Sequence, residues 1–384
     1  MQFGEYIKFT GISVWFLFSI YLFNPVLSPY VKSLGFNDIQ ISILFSLLPI
    51  SIIIFSPVMG SLSDSVGRKK IVLLGIFIEI MAILLYLVGT PWPIIAAAKI
   101  LDAIGVVTVS LVTLAKIEDT LDGSKRGKYT GWSLSARYLG TVLGPVVGAT
   151  LANIFSMKAP FVTSVILLVI LFLFVLQKEN ESIKRSTSIS LNPIKEIKEF
   201  ISVKKLQGMG ILGIVMHATN PAIQIFLPLF ILEKLGLGIE YVGYAYFFLT
   251  FMHLFQFKFG ELSDRYGSWR IVIIGCIISA IGIMLMGFSP NFIILSLILV
   301  LRGIGNSMWN VSAWNLMSDV GEKMKKEGTI TTSYISLAKI GSFASFLFSG
   351  LIVMMFGMRF LFILNGLIIL MGIVISYPLL RCEI

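Results

Sequence analysis

The sequence predicts an all-α integral membrane fold of twelve transmembrane helices divided between two related halves, and three observations carry that prediction. First, 57% of the 384 residues are apolar and only 13% are charged, with a mean hydropathy of +0.93. Soluble domains run at roughly 45–50% apolar and 25% charged, so this chain has too little polar side chain to cover a water-facing surface. Second, the apolar residues fall into runs long enough to cross a bilayer, which takes about 20 residues at about 1.5 Å each against a hydrocarbon layer of about 30 Å. Third, motifs in the first half recur about two hundred positions later. No ten-residue stretches of two-residue alternation separate turns, which excludes a transmembrane β-barrel.

In order, the spans are read near 9–31, 39–62, 70–89, 93–116, 129–153 and 159–177, then 208–232, 240–260, 269–288, 292–316, 329–354 and 357–380. Residues 1–8 are few and mixed in charge and lead into a full-length span, so no cleavable signal peptide is expected. A hydrophilic linker, 178–207, separates a 1–177 bundle from a 208–384 bundle. Within it, the alternating charges of Lys195 to Phe200 suggest a short interfacial helix, and Ser186 to Ser190 a flexible tract. Of the thirty Lys and Arg residues, 21 fall on the side that holds both termini and the linker. Four fall on the other side (Lys32, Lys158, Lys234 and Arg359) and five within spans. The positive-inside rule then places both termini in the cytoplasm of a multi-pass plasma-membrane protein. The same distribution accounts for the net charge of +10 without nucleic acid, since no basic stripe carries interleaved aromatics. Cys276 and Cys382 have neither metal nor disulfide spacing.

The duplicated loops are the most specific feature. GSLSDSVGRKK, Gly60 to Lys70, lies between spans two and three, and GELSDRYG, Gly260 to Gly267, repeats it two hundred positions on. Gly60 and Gly67 suit a tight turn, Asp64 can cap a helix or pair with a cation, and Arg68, Lys69 and Lys70 suit the cytoplasmic surface. Asp102-Ala-Ile-Gly105 likewise aligns with Arg302-Gly-Ile-Gly305, and Asp119 with Asp319. Because each half has an even number of spans, the repeats run parallel, an architecture in which transporters place substrate between the halves near the midplane.

These residues resemble the major facilitator superfamily, whose loop between helices two and three reads G-x-L-[SA]-D-x-x-G-R-[RK], and the resemblance covers the whole chain. It implies two pseudo-symmetric six-helix bundles, with the first, fourth, seventh and tenth spans lining a cavity that opens alternately to each side. It also implies a conformational latch for Gly60, Asp64, Gly67 and Arg68. Asp264 keeps its place in the latch's second copy, where Ser268-Trp269-Arg270 replace the basic pair.

Gly140, Gly144, Pro145 and Gly148 in span five form a small-residue seam for close helix packing, bent where Pro145 removes a hydrogen bond. Their pattern, G-x-x-x-G-P-x-x-G, resembles the signature of the superfamily's drug/proton antiporters. In span four, Lys99 and Asp102 stand three residues apart and can pair, and Glu79 in span three lies at similar depth by its distance from the turn at Pro91. Charged groups there cost about 2.5–3.5 kcal/mol each on insertion scales, so they are candidates for proton coupling, Asp102 foremost. The alternative is a static ion pair joining two spans.

Substrate-cavity candidates are Tyr21 and Asn24 on span one and His217, Asn220 and Gln224 on span seven. Arg302, Asn306, Trp309 and Asn310 on span ten join them. The pairs Asn24-Pro25 and Asn220-Pro221 mark corresponding interruptions in the two halves. Arg137, Lys258 and Lys339 are expected to snorkel to the interface. No phosphate-binding G-x-x-x-x-G-K-[ST] loop, G-x-S-x-G elbow or His/Cys metal cluster occurs, so the expectation is a non-enzymatic transporter without cofactor or metal. A monomer would exchange protons for small amphipathic compounds. A proton-coupled symporter or uniporter for a sugar or organic acid is the close alternative, and a non-transporting receptor the distant one.

Overall fold

The structure is a computed structural model that describes residues 3–121, 126–177, 193–324 and 327–382, and every regular element in these residues is helical. Helices satisfy their own backbone hydrogen bonds, which an apolar solvent requires. The first six are α1 (Phe3–Ser33), α2 (Asp38–Val66), α3 (Arg68–Val88), α4 (Trp92–Asp119), α5 (Arg126–Ile154) and α6 (Ala159–Leu176). The GSLSDSVG loop is shorter than its motif: α2 runs almost to its end, and Gly67, at φ 109°, alone reverses the chain into α3. Its repeat, Gly267 at φ 91°, does the same before the helix that starts at Ser268. A side chain is strained at such φ values, which is why both copies carry glycine.

The second half begins with α7 (Pro193–Ser202), inside the linker, whose Phe200 is buried beside Gly210. The Ser186–Ser190 tract lies outside the described residues. Then follow α8 (Lys204–His217), α9 (Leu227–Leu229), α10 (Glu240–Thr250), α11 (Gln256–Tyr266), α12 (Ser268–Met286), α13 (Phe292–Met324) and α14 (Glu327–Leu380). Among the described residues nine stretches are long and apolar enough to cross a membrane. One of them, Ile330–Leu380, turns at Gly357 (φ 82°) and supplies two crossings, while α5 and the α10–α11 pair complete the expected twelve.

Span seven departs from the regular helix that its hydropathy suggests. After His217 the chain widens into π turns at Ala222–Phe226 and Phe230–Lys234, next to Pro221 and Pro228. Proline lacks the N–H that a regular turn needs, and π bulges accommodate that loss. The spacing of His217, Asn220 and Gln224 therefore does not fix a common face, as a regular helix would. Span eight is similarly broken by a 3-10 segment, Phe251–Phe255.

The chain forms two compact units, and their boundaries cut across the two halves read from the sequence. Unit 1 holds residues up to Asn37, Leu47–Ile189 and Gly236–Phe247, and unit 2 holds Asp38–Ser46, Ser190–Leu235 and Phe248 onward. The exchanged segments are themselves related by the two-hundred-residue offset. Inside unit 1, α5 packs on α1 through its glycines: a Cβ at Gly140 would meet the backbone of Val14 and Phe18, and one at Gly148 the carbonyl of Leu22. Gly243 sits against Pro145 and Ala149 of the same seam. Inside unit 2, Gly341 meets Ile214 of α8, and Gly350 meets Asp38, Ile39 and Ser42. The most apolar stretch of α4 is 61% buried and that of α6 only 33%, so α6 turns most of its side chains outward.

Candidate functional site

In unit 1, α3 and α4 pack along Gly75 and Gly105, which carry no side chain to separate them. Between them lie Lys99, Asp102, Tyr86 and Glu79, all essentially inaccessible. Lys99 Nζ donates to Asp102 Oδ2 at 2.8 Å, and the Tyr86 hydroxyl donates to the same oxygen at 3.0 Å. Tyr86 is itself fixed, its carbonyl accepting the Tyr30 hydroxyl at 2.8 Å and its ring packing near Phe23 and Phe161. Glu79 differs: neither of its carboxyl oxygens has a hydrogen-bond partner among the described residues, and Asp102 Oδ1 also lacks one. A Cβ at Gly105 would lie 2.5 Å from Glu79 Oε2, so the pocket around that carboxyl is closed by backbone. Two acids and one ammonium thus lie together where water is excluded. One added proton makes the cluster neutral.

Unit 2 repeats the arrangement with different chemistry. Arg302 is 4% exposed and donates from Nη1 to Ser279 Oγ at 3.0 Å and from Nη2 to Thr219 Oγ1 at 2.8 Å, while its Nε is unpartnered. Ser279 stands at the repeat position of Glu79 as Arg302 does at that of Asp102. No ion pair joins Arg302 among the described residues. Beside it, Asn306 Nδ2 lies 3.1 Å from His253 Nε2, and the rings of His217 and Trp309 meet edge to face at 5.5 Å. Asn220 donates to Ser342 Oγ at 2.8 Å. Within their own units, Tyr21 and Asn24, and His217, Asn220, Gln224, Asn306 and Asn310, are all partly open, whereas Trp309 is buried with its indole N–H unpartnered.

The loop motif forms a local ionic cluster: Arg68 Nε donates to Asp119 Oδ2 at 2.5 Å and Nη2 lies 3.4 Å from Asp64. The repeat substitutes neutral groups, with Asn315 donating to Asp264 at 3.2 Å. Gly60 lies inside α2 with open space beside it. In the seam, Gly144 faces Tyr21 and Phe18, bringing the antiporter-like motif against the candidate cavity residue of α1.

Sequence reasoning brought Lys99, Asp102 and Glu79 together but passed over Tyr86, Ser279, Thr219 and His253. Ser279 was within reach, because the offset that pairs Asp102 with Arg302 also pairs Glu79 with Ser279. Tyr86 and Thr219 carry no signal, since tyrosine and threonine are ordinary residues of apolar spans. Arg137 and Lys339 are both partly exposed, in electrostatic reach of Tyr21 and His217 respectively.

The Major Facilitator Superfamily's sequence model matches residues 10–325 and 210–383. An uncharacterized MFS-type transporter of Methanocaldococcus jannaschii is 24% identical, the match covering 94% of this chain and 93% of that protein. The class B tetracycline resistance protein of Escherichia coli is 24% identical over 82% of this chain and 80% of its own. The quinolone resistance protein NorA of Staphylococcus aureus is 23% identical over 91% and 88%. Among solved structures, the nucleoside transporter NupG superposes with a TM-score of 0.81 at 13% identity, covering all of both chains. At that identity the likeness concerns the fold alone.

Proposed function

Because the chain belongs to the major facilitator superfamily, we propose that it is a proton-coupled exporter of small amphipathic compounds that works by alternating access, both termini and the linker facing the cytoplasm of the plasma membrane. The kinship to tetracycline and quinolone resistance proteins supports export, and so does the G-x-x-x-G-P-x-x-G seam on α1. The observation that carries proton coupling is the Lys99, Asp102 and Glu79 cluster, where two carboxyls and one ammonium are shut away from solvent.

The geometry divides the labour within that cluster. Asp102 is held by Lys99 and Tyr86, so its charge is compensated, and removing it would strand an ammonium. Glu79 has no such partner, and a buried charge without one is costly. Glu79 is therefore the proton carrier of this proposal, and Asp102 its positioning partner. Alternating access would expose the cluster to one side and then the other, and a proton taken up on one side leaves on the other. The substrate candidates of the monomer are the partly open Tyr21 and Asn24 within unit 1, and His217, Asn220, Gln224, Asn306 and Asn310 within unit 2.

One observation favours the second reading, a symporter or uniporter for a sugar or organic acid. Arg302 is a buried cation held, among the described residues, by hydroxyls, and a guanidinium with spare donors suits an anionic or oxygen-rich ligand. Fluorescent dye uptake into inverted vesicles under a proton gradient separates the two. Uptake dependent on this protein and abolished by collapsing the gradient supports export. Its absence, together with gradient-driven uptake of sugar or organic acid in right-side-out vesicles, would overturn it.

A further inference from the structure

At the end of unit 2 remote from the Gly267 turn, a cavity of about 480 Å³ opens among the end of span seven, the turn after α12 and the bend in α14. Two basic side chains, Lys234 and Arg359, line it, and no Asp or Glu does. These are two of the four cations on the side of the membrane that the positive-inside pattern leaves poor in charge, so their convergence on one cavity is not a by-product of that pattern.

The arginine is set in place before any ligand arrives. Its Nε donates to the Gly287 carbonyl at 2.9 Å, and its guanidinium lies over the Phe288 ring at 5.2 Å from the centroid. A Cβ at Gly287 would lie 3.0 Å from Arg359 Cγ, so the glycine makes room for that side chain. With Nε occupied, the two terminal nitrogens remain to grip an anion, and a planar fork of donors matches the oxygens of a phosphate. Lys234, exposed at the end of a π turn, supplies a second, mobile positive charge. The rest of the lining is mixed: Ser289 is polar, while Phe230 and Met358 are apolar. Basic and apolar groups side by side are what a phospholipid meets at the level of its headgroup.

We propose that this cavity binds the phosphate of an anionic phospholipid headgroup in the leaflet at that end of the bundle, with Lys234 and Arg359 on the phosphate. The site is separate from the proton cluster and from the substrate candidates, and it stands whether the protein exports or imports.

The test uses the full-length purified protein in phosphatidylcholine micelles, titrated with phosphatidylglycerol, with further phosphatidylcholine, or with inorganic phosphate. Binding is followed by native mass spectrometry and thermal unfolding. Phosphatidylglycerol should bind saturably and raise the unfolding temperature, and phosphatidylcholine should do neither. Each cation near a lipid surface contributes roughly a fivefold gain in affinity, so Lys234→Gln should weaken phosphatidylglycerol binding about fivefold and Lys234→Gln with Arg359→Gln about 25-fold. Lys234 makes no structural contact of the kind Arg359 does, so the single variant remains informative should the double variant unfold. Undiminished phosphatidylglycerol affinity in Lys234→Gln overturns the proposal. So does saturation by inorganic phosphate without any effect of the lipid, which would identify a soluble anion as the occupant.

Discussion

Exchanging Glu79 for glutamine separates proton carriage from folding, because the two acids of the cluster differ so sharply in their partners. Glu79→Gln preserves shape, leaves the Lys99 to Asp102 contact of 2.8 Å untouched and removes no hydrogen bond among the described residues, since neither carboxyl oxygen makes one there. Its stability cost should stay within about 1 kcal/mol, the scale of a polar exchange that breaks no network. Asp102→Asn removes the charge that compensates a fully buried ammonium and weakens the acceptor of two hydrogen bonds. Breaking a buried pair from one side costs about 3–5 kcal/mol, a large part of the 5–15 kcal/mol that holds a typical fold together. Asp102→Asn should therefore lower the unfolding temperature and the yield, while Glu79→Gln leaves both near the parent. In inverted vesicles Glu79→Gln should abolish gradient-driven dye accumulation yet retain dye binding, with the pH dependence of binding flattened. Gradient-driven accumulation at the parent rate in Glu79→Gln would refute the assignment and return Asp102 to the role of carrier.

Two further outcomes follow from the same geometry, and a third from the distribution of charge along the sequence. Gly144→Leu forces a branched side chain against Tyr21 and Phe18, where even a Cβ would stand 2.8 Å from Tyr21 Cβ; overpacking costs about 1–3 kcal/mol, and transport should fall far more than membrane yield in a parallel measurement of both. Asp64→Asn leaves the Arg68 bond to Asp119 in place, so the variant should insert and fold normally, while distance measurements across the helix ends next to Gly67 should register a shift in conformational population; an unchanged distribution argues against a latch. Ser186→Cys, in the linker, should resist a membrane-impermeant thiol reagent added to intact cells, and efficient labelling from outside would reverse the proposed orientation.

The all-helical membrane fold and the two-hundred-residue repeat were legible in the sequence, because crossing a bilayer fixes length and hydropathy before any packing is chosen. The sequence also determined that Lys99, Asp102 and Glu79 share a depth, since depth along adjoining helices is set by counting from a turn. Rotation about the helix axis is not set that way. Only the tertiary structure decided that Tyr86 and Lys99 both close on one oxygen of Asp102 while Glu79 is left unpartnered, and that Arg302 turns to Ser279 and Thr219. It alone placed the glycine seam of α5 against α1, because a run of small residues states that something packs there without stating what. The π turns of span seven belong to the same class. Pro221 and Pro228 announce a defect, but whether the chain kinks, unwinds or widens depends on which neighbouring groups take up the hydrogen bonds that proline cannot make, and those neighbours are supplied by the fold.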